Sequence, residues 1–460
     1  MKRARTFRSN RRLVSEVLER RDLLTTFTVT SVADAGAGSL REAVLLANSS
    51  PGADVVDFAP ALSNQSIFLD SEIVIDDELM IDASSADSIT LDTSNADATP
   101  GVPDGQGIRA ITSSSSLSLQ NIAITGGDVD GRGGAIFSVA PLRLESVAIR
   151  NNSATDDGGG IHSSDSAFVM LNSNVSGNTA SNGDGGGVHF YARYDADLSI
   201  NDSVISGNTA IFQGPYVAGN GGGIHIVTES EVSISNTEIN SNFASRSGGG
   251  VYLNSRSAVT QISDSEISNN TADYGGGLSG SLAFGGLTIE SSTVTGNDAS
   301  GAGGGIDIYM SSLSGLSLRR TVVSGNTAGT IGGGVSVFSY FAYSVVLEQA
   351  TIQSNSATDG GGVHFISFSS YSYSDPLSVR NTTISDNTAT GDGGGLYLDF
   401  NEGGLIQVGR RSSSIPPSPA TMPGRRVEVS TWKPFPAGRQ IFSSQRLPTI
   451  RLIRRAGFMH

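Results

Sequence analysis

Histidine is the residue type whose spacing in this sequence most clearly suggests chemistry. Four histidines each follow an aliphatic residue that itself follows three glycines: His162, His189, His225 and His364. The first three belong to consecutive repeats, so stacked coils would place them about 4.8 Å apart. Such a column could bind a metal ion or respond to pH. We expect a solvent-facing column on the outer surface, shared with Tyr252, Asp307 and Tyr397 at equivalent positions, with metal binding or a pH response as the alternative.

Aspartates before the glycine runs form the second candidate group. They are Asp156, Asp157, Asp184, Asp359 and Asp392. Carboxylates in an exposed cleft act in glycosidases, and carboxylates also bind Ca²⁺. Turn geometry favours Asp without either activity, and the nonapeptide calcium repeat is absent. We therefore expect structural turns and no cofactor, with calcium binding and catalysis as the alternatives.

These residues belong to a tandem repeat that occupies most of the chain. Nine units each contain Ile or Val, then Asn three residues later, then Gly-Gly-Gly and an aliphatic residue. One glycine run follows another at mostly 27 to 29 residues, with longer intervals of 36 and 33. Within a unit, residues 198–200 and 224–226 alternate apolar and polar side chains, which is typical of half-buried strands. The repeat predicts an all-β, right-handed parallel β-helix, a solenoid whose stacked coils share one core.

The repeated asparagines predict a ladder of stacked amides. They are Asn152, Asn178, Asn208, Asn242, Asn270, Asn297, Asn326, Asn355 and Asn387. A buried amide without a partner would cost about 1–3 kcal/mol, whereas amides in successive coils can bond to each other and to the turn backbone. The glycine runs predict positive φ or close backbone approach. They are not phosphate-binding loops, because no Gly-Lys-Ser/Thr occurs and no helix follows.

The charge distribution excludes several classes of partner. The formal net charge is −15, but residues 1–22 carry +5, residues 409–460 carry +9, and the body between them carries −29. A body this acidic repels nucleic acid and anionic lipid. There are no cysteines, which excludes disulfides and thiolate metal sites. No apolar run is long enough for a transmembrane helix, and no apolar stretch follows the basic N-terminus, so no standard signal peptide is visible.

The repeats resemble those of chlamydial-type polymorphic outer-membrane proteins over roughly residues 110–400. Upstream, residues 30–34 and 38–43 look like the CSLREA-type module that often precedes such arrays, although this copy lacks the Cys. Its residues 39–48 predict a short helix with Ser39 as N-cap and Glu42 completing a capping box. This helix would close the end of the β-helix. Residues 18–24 are similar to the LEPR-XLL segment of exported planctomycete proteins, with Arg21 where Pro is expected. That similarity implies export.

The C-terminal tail departs from the repeat after about Leu405. When the possible codons of residues 415–423 are read two bases out of phase, they permit Ile-Thr-Gly-Asn-Asn-Ala. Residues 424–432 then permit Gly-Gly-Gly-Ile-Tyr-Leu at the proper spacing. We therefore interpret residues 405–460 as the product of a frameshift between roughly Leu405 and Arg411. A genuine cationic anchoring tail is the alternative. We expect this tail to be disordered or loosely packed and not to fold onto the array.

These observations predict four regions and a broad function. The regions are 1–26, a basic export-like segment; 27–109, the cap and first coils; 110–404, the repeat array; and 405–460, the basic tail. We expect a non-catalytic extracytoplasmic protein, secreted or on the cell surface, structural or adhesin-like, that contacts extracellular polysaccharide or protein. The alternative is a carbohydrate-active β-helix enzyme, a polysaccharide lyase or glycosidase, with its site in the inserted loops at 211–220 or 366–376.

Overall fold

The structure is a computed structural model that describes most of the chain. It describes residues 24–193, 196–212, 219–256, 259–311, 314–340, 344–368 and 377–400, and three short strands beyond residue 400. Most of the LEPR-XLL-like segment and most of both inserted loops lie outside the described residues. Among the described residues, no helix is long and apolar enough to cross a membrane.

Successive coils contribute strands to four sheets, here called A, B, C and D, in the chain order A, B, D, C. Sheet A contains Thr26–Val29, Asp54–Phe58, Leu79–Asp82, Leu117–Gln120, Leu142–Glu145, Phe168–Leu171, Leu198–Asn201, Val232–Ser235, Val259–Ser263, Gly286–Glu290, Gly315–Arg319, Ser344–Glu348, Leu377–Arg380 and Ile406–Val408. Sheet B contains Ser66–Phe68, Ile89–Asp92, Ile122–Thr125, Ala148–Arg150, Asn174–Ser176, Val204–Ser206, Glu238–Asn240, Glu266–Ser268, Thr293–Thr295, Val322–Ser324, Thr351–Gln353 and Thr383–Ser385.

The other two sheets complete each coil. Sheet C contains Ile73–Ile75, Ile111–Ser113, Ile136–Ser138, Ile161–Ser164, Val188–Ala192, Ile224–Thr228, Val251–Ser255, Leu278–Ala283, Ile306–Ser311, Val335–Tyr340, Val363–Ser367, Leu396–Phe400, Arg425–Val429 and Arg451–Ile453. Sheet D contains Asp128–Val129, Ser153–Ala154, Thr179–Ala180, Thr209–Ala210, Phe243–Ala244, Thr271–Ala272, Asp298–Ala299, Thr327–Ala328, Ser356–Ala357 and Thr388–Ala389. Short 3₁₀ helices cover Pro60–Leu62, Ser84–Ala86 and Ser94–Ala96.

The core is a column of aliphatic side chains that stack in register. In sheet B, Ile149 pairs with Val175 and Val175 with Ile205, and all three side chains are completely buried. Burying such a side chain contributes about 1.5–3 kcal/mol. All strand pairs up to residue 400 are parallel, as in Ile161 beside Val188 in sheet C. The predicted all-β parallel solenoid is therefore confirmed.

The N-terminal helix, α1 (Leu40–Asn48), has the predicted N-cap. Its Ser39 Oγ accepts the Glu42 backbone N–H at 3.2 Å. The Glu42 carboxylate accepts the Gly38 N–H at 2.6 Å, one residue earlier than the usual capping box. Leu40, Val44 and other residues on one face join the solenoid core. Helix α1 packs against the first strands of sheets A and C, so it covers the end of the β-helix.

The glycine runs show both features that the sequence predicted, a positive φ and a close approach of backbone atoms. Gly158 has φ +74°, and a Cβ there would lie 2.7 Å from the backbone carbon of Ile161. A Cβ on Gly160 would lie 2.7 Å from the Gly187 oxygen and 3.0 Å from the Asn178 amide carbon of the next coil. The first glycine therefore sets the turn, and the third lets neighbouring coils approach the asparagine column.

The described strands of the tail correct one expectation. Ile406–Val408 continues sheet A in parallel with Leu377–Arg380. Arg425–Val429 is antiparallel to Leu396–Phe400, and Arg451–Ile453 is antiparallel to it in turn. The expectation that no part of the tail would fold onto the array is wrong for these strands. The last parallel strand of sheet C leaves an open edge, and such an edge accepts a further strand in either direction.

Candidate functional site

The candidate site is a stack of rings on sheet C, here called the ring column. It consists of Phe137, His162, His189, His225 and Tyr252, which occupy one register position in five consecutive coils. Successive ring centroids lie 5.2, 4.7, 4.8 and 4.9 Å apart, and the rings are nearly parallel. The fold thus brings the first three predicted histidines together. His364 lies farther along the same register and stacks on Tyr397 at 4.5 Å.

The expected solvent-facing column is wrong, because the three histidines are only 2, 6 and 5 % exposed. In-out alternation does turn them away from the core, since Ile161 and Ser163 on either side of His162 point into it. The turn before each strand then covers the ring. A Cβ on Gly158 would lie 2.9 Å from the His162 backbone nitrogen, which shows how closely the turn lies over the strand.

Turn aspartates contact the edge of the ring column. Asp157 Oδ2 lies 3.9 Å from His189 Nε2, and Asp184 Oδ2 lies 3.5 Å from His225 Nε2. The other oxygen of each carboxylate accepts a hydrogen bond from the backbone of the next coil. Asp157 Oδ1 accepts the Asp184 N–H at 3.1 Å, and Asp184 Oδ1 accepts the Asn220 N–H at 2.8 Å. Each carboxylate therefore supports a turn and faces an imidazole of the following coil.

Burial keeps the imidazoles neutral at neutral pH. It lowers the pKa of His162 to about 4 and lowers the pKa of His189 well below its usual value. It also lowers the pKa of His225, although Asp184 and Asp157 act in the opposite direction. The Nδ1 atoms of all three are buried and have no hydrogen-bond partner among the described residues. Each ring therefore has one buried nitrogen that no described group satisfies.

Two arginines border the first end of the ring column. The Arg109 guanidinium lies 5.1 Å from the Phe137 ring centroid, and its Nη1 is 2.7 Å from Glu72 Oε1. Arg132 Nε lies 3.5 Å from Asp157 Oδ2, but the Arg132 side chain is 54 % exposed. Solvent screens such a pair strongly, so Arg132 holds Asp157 only weakly.

One ligand atom each from Asp157, His162 and His189 lies within 4.8 Å of the others. His225, the third predicted metal candidate, is not part of this group. The sequence analysis assigned Asp157 to a turn and did not connect it with the histidines. The available signal was the constant spacing of Asp157 before His162 and of Asp184 before His189, with three glycines between.

A second acidic group lies in the first coils and was missed by the sequence analysis. Carboxylate oxygens of Asp97, Asp104 and Asp128 lie within 4.8 Å of one another. Burial is the main cause that raises the pKa of Asp128, while its Oδ1 accepts the Ser153 hydroxyl at 2.5 Å and its Oδ2 accepts the Gly105 N–H at 2.9 Å. These coils precede the regular repeat, so periodicity gave no signal for this group.

The remaining aspartate candidates lie apart from the ring histidines. Asp359 Oδ1 accepts the Asp392 N–H at 2.6 Å, which repeats the turn contact of Asp157 and Asp184. Asp156 is exposed beside Asp157. The structure therefore distributes the five predicted aspartates along the array and does not gather them into one cleft.

The repeated asparagines form a continuous hydrogen-bonded series. Asn178 Nδ2 donates to Asn208 Oδ1 at 2.9 Å and to the Ile149 carbonyl at 3.0 Å. The Asn178 backbone N–H donates to the same Asn208 oxygen at 3.0 Å. The pattern continues to Asn355, whose Nδ2 donates to Asn387 Oδ1 at 2.9 Å. All nine side chains are buried, so their polar atoms are committed to neighbouring coils.

Four aromatic side chains form a surface cluster, here called the aromatic patch, on the outer face of sheet C. It consists of Tyr309, Phe338, Tyr340 and Phe368, with neighbouring centroids 4.8 to 6.1 Å apart. Tyr309 is 45 % and Tyr340 37 % exposed. The sequence analysis missed this patch, although Phe338 and Tyr340 alternate as residues on one strand face do.

Comparison with known proteins supports the fold and the repeat. The family model described as the right-handed beta helix region matches residues 193–376. The Chlamydia polymorphic membrane protein repeat matches residues 146–164 and 381–399. The chain is a right-handed β-helix protein whose repeats resemble polymorphic membrane protein repeats. No curated protein shows significant sequence similarity to it.

Solved structures with a similar overall form include two carbohydrate-active proteins. Pectate lyase Pel9A is 12 % identical, with a TM-score of 0.34, and the alignment covers 80 % of this chain and 77 % of that one. A mutant of the periplasmic alginate epimerase AlgG is 14 % identical, with a TM-score of 0.36, covering 76 % of this chain and 89 % of that one. At TM-scores this low, neither similarity indicates an activity.

Proposed function

We propose that this protein is a non-catalytic, extracytoplasmic surface protein, structural or adhesin-like. The similarity of its repeats to polymorphic membrane protein repeats supports a surface location. The observation that carries the proposal is the use of the turn carboxylates. Asp157, Asp184 and Asp359 each accept a backbone N–H from the following coil. This contact recurs at turns along the array, so it serves the stacking of coils and does not gather the carboxylates into one catalytic cleft.

The aromatic patch supplies a contact surface for this function. Two of its three strands, Val335–Tyr340 and Val363–Ser367, carry no Asp, Glu, Lys or Arg, and the third, Ile306–Ser311, carries only Asp307. The Tyr309 and Tyr340 rings are partly exposed. Tyrosine combines apolar ring area with a polar hydroxyl, which suits it to interfaces. The acidic body disfavours polyanions. We therefore favour an uncharged extracellular polysaccharide or a protein surface as the partner.

The alternative is a carbohydrate-active enzyme, and one contact favours it. Asp184 Oδ2 and His225 Nε2 lie 3.5 Å apart, so a shift of a few tenths of an ångström would bring this carboxylate and imidazole to hydrogen-bond distance, as in an acid–base pair. The imidazole is only 5 % exposed, however, so a polysaccharide would reach it only after the covering turn moved. The favoured function requires no such movement.

Two measurements on the full chain separate these functions. Incubation with uronic-acid polysaccharides should give no rise in ultraviolet absorbance, because no unsaturated product forms. Affinity electrophoresis through neutral polysaccharides, or binding to surface proteins, should show retention that Tyr309→Ala and Tyr340→Ala reduce. Phe284→Ala serves as control, because Phe284 is exposed but lies outside the aromatic patch. An absorbance rise that Asp184→Asn abolishes would establish the enzyme instead.

A further inference from the structure

We propose that Asp157, His162 and His189 form a binding site for one zinc-class divalent cation, an ion that prefers imidazole ligands. His162 and His189 are register partners on adjacent strands of sheet C. Asp157 comes from the turn that leads into the His162 strand. Two imidazoles and one carboxylate are a common protein ligand set for zinc, with water in the fourth position. Calcium and magnesium prefer oxygen ligands alone, so this donor set selects against them.

The distances fit a metal-free site that contracts slightly on binding. The three ligand atoms lie within 4.8 Å of one another, and His189 Nε2 is 3.9 Å from Asp157 Oδ2. In a tetrahedral zinc site, bond lengths of about 2.1 Å place ligand atoms roughly 3.3 Å apart. The two rings are 6° from parallel, so they must tilt toward each other for a nitrogen of each to reach one ion, and this tilt supplies the contraction.

The state of the imidazoles favours metal binding. Both rings are buried, and both Nδ1 atoms have no hydrogen-bond partner among the described residues. Buried polar atoms without a partner are rare in folded proteins.

Two neighbouring residues influence the proposed cation site, one by holding a ligand ring in place and one by its positive charge. The His225 ring stacks on His189 at 4.8 Å and is itself close to Asp184, so His225 acts as a positioning residue. Arg132 opposes the cation, since its Nε lies 3.5 Å from Asp157 Oδ2. Its exposed side chain can move into solvent and free the carboxylate. The geometry therefore predicts that Arg132 weakens cation binding.

Titration of the full chain with Co²⁺, followed by displacement with Zn²⁺, tests the proposal. We expect one Co²⁺ per chain with the intense visible absorption of a tetrahedral, imidazole-ligated ion. We also expect His189→Gln and Asp157→Asn each to lower zinc affinity by about tenfold or more. His364→Gln is the matched control, because His364 has the same register position and an aromatic neighbour but lies outside the cluster. Equal losses in His189→Gln and His364→Gln, or unchanged affinity in His189→Gln, would overturn the proposal.

A second variant keeps the test decisive if the buried substitutions impair folding. Arg132→Ala changes an exposed side chain, and far-ultraviolet circular dichroism would check that the fold is retained. Zinc affinity should rise about threefold or more when this cation is removed. Unchanged or weaker binding would contradict the assignment of Asp157 as a ligand. Millimolar Ca²⁺ should leave the Co²⁺ spectrum unaltered, and displacement by Ca²⁺ would exclude an imidazole site.

Discussion

Two stretches of one register position in sheet C, here called its two halves, differ in chemistry but share one backbone; the stacked rings of His364 and Tyr397 follow them. Between residues 137 and 252, this position holds the stacked rings of the ring column. In the following three coils it holds Ser279, Asp307 and Ser336. The first glycine of each turn has the same conformation in both halves, with φ between +60° and +74°. The solenoid therefore does not require rings at this position.

The largest expected change in stability comes from replacing the first glycine of a turn, and we expect it in both halves. Gly158→Ala in the ring half and Gly303→Ala in the other half should each destabilise the protein by about 3 kcal/mol or more, because both combine positive φ with a backbone clash. Chemical denaturation of both variants measures the loss. A loss confined to Gly158→Ala would mean that the turns differ between the halves.

The next effect belongs to the half without rings and depends on pH. Burial raises the pKa of Asp307 from 3.8 to about 6, although a Ser336 hydrogen bond opposes the shift. An acid whose folded pKa is raised destabilises the fold above that pKa, and stability recovers as pH falls from about 6 toward 4. Asp307→Asn should therefore stabilise the protein at pH 7 by about 3 kcal/mol. Thermal unfolding at pH 7 and pH 4.5 checks this, and the gain should fall to roughly 1 kcal/mol at the lower pH. Equal gains at both pH values would show that the carboxylate's charge is not the cause.

The smallest expected changes in stability come from exchanging the side chains of the two halves, a ring for serine and serine for a ring. His189→Ser should cost about 1–2 kcal/mol, because it removes one ring from two stacks of 4.7 and 4.8 Å. Ser279→His should change stability by less than about 1 kcal/mol, since the added ring would extend the column beyond Tyr252. Urea unfolding of both variants compares them. A large loss in Ser279→His would show that the space under that turn is specific for a small residue.

The features that depend on the local sequence pattern could be predicted from the sequence. The strand alternation and the N-cap at Ser39 depend on local pattern, and the structure has both of them in place. The burial of the histidines was not predicted, because alternation reports only the face of the sheet on which a side chain lies. Whether a turn covers that face depends on contacts such as those between Gly158 and the strand after it. The periodicity of apolar residues carries no information about these contacts.

The aromatic patch and the contact between Asp157 and His189 were not predicted from the sequence, for a related reason. Tyr309 and Phe338 are 29 residues apart, and Asp157 and His189 are 32 apart. Both pairs meet because the coils stack in register, so predicting them requires the register of each coil and not only its strands. The acidic group at Asp128 lies before the regular units, where no register could be assigned.

The hydrogen bonds between asparagines all point the same way, which gives the solenoid a chemical polarity. In each coil the amide N–H groups of the Asn donate forward to the oxygen of the following Asn, as from Asn270 to Asn297. A coil that has just formed therefore presents two donors whose acceptor has not yet been folded. The next segment to emerge during synthesis carries that acceptor. Each folded coil thus presents a template to the next one along the chain, so the array can grow coil by coil from wherever it nucleates.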